Sequence, residues 1–361
     1  MSIDLPVEDL PDPGRERRAL WTRDLRTARV LRFAFGATAV TAIAFALAWP
    51  LYFVTPILVV VSLGMPLPAP TLGQGWNNIL YVFVAFVLGL VFALLLLPYP
   101  LVFAPVLALV LFHIYYLANR GGPFFLVLMS LIAVFILPLL VDTNEAIGTA
   151  FGMGFIGSGV LAILTVWVAH AVFPDPPSDQ PRPTRPGFQP GYSAPAAENA
   201  MKSTIAIFPL ALLFVYAGWS SQALVLAFAG IFSLSPILSR GRAAATASLK
   251  STLIGGLVSV GFYYLIIAAP ELPVFIALAL VVFLAFGAGI FSTHPLAPYL
   301  GSAAVAFVVL LGGVMGEDAS ITDKFFTRVF LVMLAALYIV AALSLLERYW
   351  PGKNDTTASA A

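Results

Sequence analysis

Residues 64–75, GMPLPAPTLGQG, and residues 230–241, GIFSLSPILSRG, decide how this chain folds. They share the pattern G-x5-P-x-L-x2-G at a constant offset of 166 residues, pairing Gly64 with Gly230, Pro70 with Pro236, Leu72 with Leu238 and Gly75 with Gly241; fourteen residues further on, Gly89 pairs with Gly255. Each motif closes an apolar run. Proline has no amide donor and its ring blocks the preceding turn, so neither run continues as a straight helix past Pro66 or Pro236.

Outward from the motifs the chain is apolar. Of its 361 residues 61% are apolar and 10% charged, against ~25% charged in a soluble domain, so it reads as an integral membrane protein. Apolar runs predict twelve transmembrane helices, near residues 33–49, 54–67, 79–97, 101–118, 124–141 and 147–173, then near 200–216, 223–238, 249–268, 272–290, 296–314 and 325–346. An even number of spans separates the two motifs, so the copies run parallel, related by an axis along the membrane normal. The expected fold is all-α: two parallel six-helix repeats whose second and eighth helices are interrupted. Its parts are a basic N-terminal tail over residues 1–32, a first repeat over 33–173, a Pro-rich linker over 174–199, a second repeat over 200–346 and a C-terminal tail over 347–361. Eight prolines from Pro174 to Pro195 should keep the linker extended.

With the N-terminus inside, sixteen of the eighteen basic residues fall on the cytoplasmic face: seven arginines from Arg15 to Arg32, then Arg120, Arg182, Arg185, Lys202, Arg240, Arg242, Lys250, Arg348 and Lys353. Outside remain Lys324 and Arg328, with Asp142, Glu145, Glu271, Glu317, Asp318 and Asp323. The positive-inside bias therefore places both termini in the cytoplasm. An arginine-rich start without an apolar core predicts an uncleaved first span rather than a leader. A net charge of +1 offers nucleic acid no basic face, and the absence of cysteine excludes disulfides and thiolate metal sites.

Carbonyls freed by a broken helix persist at membrane depth only when buried in protein or lining a watery cavity, and paired breaks in two halves point to a transport site. A tight cytoplasmic turn uses the same prolines and glycines. As a site, the helices expected after Gly75 and Gly241 would present free amides to an anion, with Asn77, Asn78, Ser233, Ser235 and Ser239 as caps or hydroxyl donors. Pro66, Pro70 and Pro236 would shape it, Trp76 would offer a stacking face, and Arg240 and Arg242 would strengthen the preference for negative charge. Those two arginines also fit plain topogenic charge at a membrane surface.

Few titratable groups fall inside the spans. His113, in LVLFHIYYLANR, is either a proton relay or a hydrogen-bonded packing residue beside Tyr115 and Tyr116. Asp142 and Glu145 in the first half, with Asp318 in the second, either collect protons at the outer mouth or are solvated loop charge. Three separated histidines make no metal site. The G-x-G-x-x-G run at residues 152–157 lies in an apolar span without a preceding strand, so it is no dinucleotide fingerprint; Gly148, Gly152, Gly312 and Gly316 suit close helix packing instead. No phosphate loop, H-E-x-x-H or G-x-S-x-G is present, so neither an enzyme nor a built-in ATPase is expected.

The basic segment running into RVLRFAFGATAVTAIAFAL, the break PLPAPTLGQG and the second copy GIFSLSPILSRGRAAATASLKSTLIGG together resemble the fusaric-acid-resistance-like or aromatic acid exporter superfamily, closest to its short, membrane-only branch. Larger relatives carry soluble cytoplasmic regions, whereas this chain has only tails and a linker. The resemblance implies a bacterial inner-membrane pump for aromatic or other weak organic acids, driven by the proton-motive force and working with a periplasmic membrane-fusion adaptor. The expected partners are a small organic anion, the lipid bilayer, that adaptor and a second copy of the chain in a homo-oligomer, with no cofactor and no nucleic acid. Two other readings remain. A major-facilitator carrier would need a charged turn after its second span, where this chain has uncharged LGQGWNN, and a non-transporting scaffold would fit the scarcity of buried charge.

Overall fold

The computed structural model describes residues 13–47, 51–175, 188, 191–220, 223–234, 238–315 and 321–349. Within them the chain forms α1 (Pro13–Ala46), α2 (Val54–Gly64), α3 (Leu72–Leu96), α4 (Pro100–Asn119), α5 (Phe124–Thr143), α6 (Glu145–Val172), α7 (Ala194–Tyr216), α8 (Ala223–Phe232), α9 (Leu238–Ala268), α10 (Leu272–Ile290), α11 (Ala297–Met315) and α12 (Ile321–Tyr349), and no strand. Nine helices among the described residues are long and apolar enough to cross a bilayer, so this is a multi-pass membrane protein. The second and eighth are short, with 11 and 10 residues. At 1.5 Å per residue each reaches roughly 16 Å, about half of a ~30 Å hydrocarbon core.

Local chemistry sets the helix ends. Thr71 and Gln74 form a capping box at α3: the Gln74 amide donates to the Thr71 hydroxyl at 3.2 Å and the Thr71 amide to Gln74 Oε1 at 3.0 Å. The Asn144 side chain accepts from the Ala146 amide at 2.8 Å to start α6, and Ser193 accepts from the Ala196 amide to start α7. Prolines in the first turn of α4, α7 and α10 need no amide partner there.

Successive helices alternate in direction. At one end Trp167 of α6 meets Pro70 before α3, Arg26 of α1 meets Ala288 of α10, and Tyr116 of α4 meets Ser193 before α7. At the other end Tyr52, between α1 and α2, donates to the Gly312 carbonyl of α11, and Tyr216 of α7 donates to the Pro100 carbonyl of α4. The first is the basic end, holding Arg26, Arg29, Arg32, Arg120 and Lys202; the second is the acidic end, holding Asp142, Glu145, Glu271 and Asp323.

Helix pairing recurs after six helices. α1 packs on α10 as α4 packs on α7, and α2 packs on α11 as α5 packs on α8. Within the first half α3 lies against α5 and α6; within the second, α9 lies against α11 and α12. A Cβ at Gly89 would press on Ala133 of α5, and one at Gly255 on Ala303 and Ala306 of α11, so glycines 166 residues apart occupy corresponding crossings. Lipid tails give helices no hydrophobic reason to associate, and close backbone approach at such small residues supplies contact instead. Edge-to-face rings add to it: Phe33 of α1 on Phe283 of α10 at 6.1 Å where the halves meet, and Phe283 on Phe307 of α11 at 5.6 Å within the second half. Gly148 and Gly152 pack on Val141 and Leu137 of α5, and Gly312 on Phe53; Gly316 lies outside the described residues.

Several boundaries differ from expectation. α1 begins at Pro13 instead of near residue 33, because the arginine-, alanine- and leucine-rich approach consists of good helix formers. α3 begins at Leu72, not after Gly75, because the capping box fixes its start; α9 begins at Leu238, not after Gly241. α2 stops at Gly64, short of residue 67, where Pro66 can no longer supply an amide.

Candidate functional site

The first interruption opens onto a cavity of about 630 Å³ at the basic end, within the range of small-molecule sites. Its walls come from both halves: Leu25, Arg26 and Arg29 of α1, Gly64 and Pro66 at the break, Ile290, Phe291 and Ser292 where α10 ends, and Ala297, Pro298 and Gly301 of α11. Arg26 Nη2 donates to the Ala288 carbonyl at 3.2 Å, neutralising the negative end of α10. Arg29 Nε is buried and has no hydrogen-bond partner among the described residues. The cavity thus combines apolar and ring surfaces with a guanidinium that has an unused donor, a chemistry suited to an amphipathic anion.

Beyond the cavity the break runs as non-helical backbone from Met65 to Thr71, with a tight turn at Pro66 where the Leu67 amide donates to the Met65 carbonyl at 2.7 Å. Trp167 Nε1 donates to the Pro70 carbonyl at 3.1 Å, satisfying a group that the missing helix leaves exposed. The same indole fills the space where Gly75 would carry a Cβ, which is why a glycine stands there. One turn along α6, His170 Nδ1 donates to the Val166 carbonyl at 2.9 Å, while its Nε2 is buried without a partner among the described residues. Arg32, 3% exposed, ties the start of the linker to α1 through the Phe173 carbonyl at 3.2 Å and an ion pair with Asp175.

Of the residues expected at this break, Pro66 lines the cavity, Pro70 acts through its carbonyl and Gly75 packs on Trp167. Trp76, expected to offer a stacking face, is 64% exposed, and Asn77, expected as a cap, is exposed; neither lines the cavity, and the cap of α3 comes from Thr71 with Gln74. The ring that engages the break is Trp167, not Trp76. Its signal was the pairing of Trp167 with His170 three residues on, two ring nitrogens on one stripe of an apolar helix.

At the second interruption Ser233 is fully buried. Its hydroxyl donates to the Ala229 carbonyl at 2.8 Å, and its own carbonyl accepts from the Ser203 hydroxyl of α7 at 2.6 Å. Tyr115 of α4 donates to the Gly230 carbonyl at 3.0 Å. Ser235 and Pro236 lie outside the described residues, as do the side chains of Ser239, Arg240 and Arg242 in the first turn of α9.

The remaining candidates are scattered. His113 is exposed on the bundle exterior with Nδ1 bonded to the Leu109 carbonyl at 2.7 Å. Asp142 and Glu145 are exposed at the turn between α5 and α6, and Asp318 lies outside the described residues. Among the described residues no three His, Asp or Glu side chains gather to hold a metal.

The sequence reading underestimated buried charge. Arg328, counted on the outer side at the start of the last span, is 7% exposed inside the membrane-spanning part of α12. Its guanidinium stands 5.3 Å from the Phe228 ring centre of α8, and its Nε has no partner among the described residues. Seven residues into α12, Arg328 lies in the outer part of the hydrocarbon core, where a buried cation costs less than the ~2.5–3.5 kcal/mol that insertion scales give at the bilayer centre. Cation–π attraction returns roughly 1–2 kcal/mol of that. A lone arginine in the apolar run FFTRVFLVM was the available signal.

The chain spans the membrane many times and has a cavity at one interrupted helix. No curated protein and no solved structure matches it. Residues 29–169, from Arg29 at the cavity through Trp167, match the family described as Protein of unknown function (DUF2955).

Proposed function

We propose that this protein is an inner-membrane exporter of aromatic or other amphipathic organic acids, built from two parallel repeats that rock against each other around the interrupted helices. The observation that carries the reading is the cavity: it lies between α1 and α2 of one half and α10 and α11 of the other, with Arg26 and Arg29 beside the break at Pro66. An organic anion would place its charge on Arg29 and its ring against Phe291, Pro66 and Pro298. Helix pairing that recurs after six helices, and the matched Gly89 and Gly255 crossings, support a parallel duplication. With no phosphate loop in the sequence, energy would come from the proton-motive force, and a periplasmic adaptor would carry the passenger onward. Both termini would face the cytoplasm. The scaffold alternative drew on a scarcity of buried charge, which buried Arg32 and Arg328 weaken.

Efflux of 1-naphthoate from preloaded cells tests this. Cells producing the protein should clear the probe faster than cells without it, and Arg29→Gln should slow clearance about tenfold while inserting normally, as expected for one lost charge-assisted hydrogen bond. Equal clearance with and without the protein would remove the exporter reading.

A further inference from the structure

Each short helix faces one arginine whose Nε is buried and unpartnered among the described residues: Arg29 beside the end of α2, and Arg328 over Phe228 of α8. The two stand at opposite ends of the bundle. Arg328 lies seven residues into α12, roughly 10 Å along its axis at 1.5 Å per residue. α12 exceeds a ~30 Å hydrocarbon core, so a roughly centred α12 keeps Arg328 inside it.

No carboxylate among the described residues answers this charge. α8 carries no titratable side chain; on α12 Asp323 is exposed, and Glu271, at the start of α10, is exposed as well. Lys324, one turn before Arg328 on the same stripe of α12, adds positive charge. Arginine keeps its proton, so a buried guanidinium beside an aromatic ring is matched best by a flat anion that forks onto it and lays its apolar part on the ring.

We propose that Arg328 forms a second anion station, in the acidic-end half of the bundle, for the same aromatic carboxylates that the cavity at Arg29 admits. This rests on the exporter reading, in which the passenger leaves Arg29 and is met by Arg328 of α12, beside the other interrupted helix.

Equilibrium dialysis of radiolabelled 1-naphthoate against the detergent-purified full chain tests it. The wild type should bind two equivalents, and Arg328→Gln and Arg29→Gln one each. Two equivalents retained by Arg328→Gln would overturn the second station and leave the cavity reading standing. Loss in Arg328→Gln with two equivalents retained by Arg29→Gln would uphold this station and sink the cavity. Because the chain has no cysteine, Phe228→Cys gives a measurement with Arg328 in place. An anionic methanethiosulfonate should modify it about fivefold faster than a cationic one, with 1-naphthoate slowing the reaction; equal rates without protection would overturn the proposal.

Discussion

The two interrupted helices solve one problem with different chemistry. A broken helix strands carbonyls where no lipid can bond them. At the first break an indole from α6 takes the Pro70 carbonyl and a capping box closes the next helix; at the second, a tyrosine from α4 and a serine from α7 take the Gly230 and Ser233 carbonyls. Satisfying these groups is obligatory, but which neighbour does it is free to differ between halves. The first break is also the one that borders the cavity at the basic end, so its coverage leaves an opening toward Arg29.

The largest effect should come at the glycine crossings behind the breaks. A side chain at Gly255 meets the Ala303 carbonyl, which is backbone and cannot yield, whereas one at Gly89 meets the Ala133 methyl and the movable Leu137 end. Gly255→Leu should therefore cost about 3 kcal/mol or more and Gly89→Leu less, read by thermal unfolding in detergent. The control is Gly261→Leu, with nothing within 4 Å, which should change little. Equal losses at Gly89 and Gly255 would dissolve the distinction between the crossings.

Next is the tie between Arg32 and Asp175 in the first half. Asp175→Asn leaves the buried Arg32 guanidinium short of its counter-charge and should lower stability by about 2 kcal/mol, less than for a fully buried pair because Asp175 stays a quarter exposed. An unchanged melting temperature would make this tie incidental. Smaller still, Trp167→Phe and Tyr115→Phe each remove one donor from a break carbonyl, and each should cost about 1–2 kcal/mol. Naphthoate efflux separates them: the Trp167 variant, at the cavity-bordering break, should be the slower, and the reverse order would break the comparison. Least of all, Trp76→Ala, at an exposed position, should alter stability by under about 0.5 kcal/mol and leave naphthoate binding unchanged.

Much of this fold was legible in the chain. Apolar runs gave the helices, and Pro66 gave the end of α2 to within two residues. The start of α3 was legible too, since Thr71 and Gln74 stand at capping-box spacing, but Gly75 drew attention away from them. The site was less legible. Which indole reaches a carbonyl 97 residues away, or which arginine of seven near the N-terminus ends beside Pro66, depends on helix neighbours that periodicity does not encode. The burial of Arg328 was missed because topological charge rules count residues by face and ignore whether a side chain points into the bundle.

The sequence by itself determined that the chain lives in a bilayer, where its helices fall and that two of them must stop at proline-bearing motifs, because hydropathy, proline and glycine act within a few residues of themselves. Only the tertiary structure decided that α1 and α2 close a cavity with α10 and α11, that Trp167 rather than Trp76 serves the break, and that Arg32 and Arg328 are buried. Those outcomes depend on contacts between helices far apart in the chain, made where small residues let backbones approach and where each stranded polar group finds whichever donor the packing brings near.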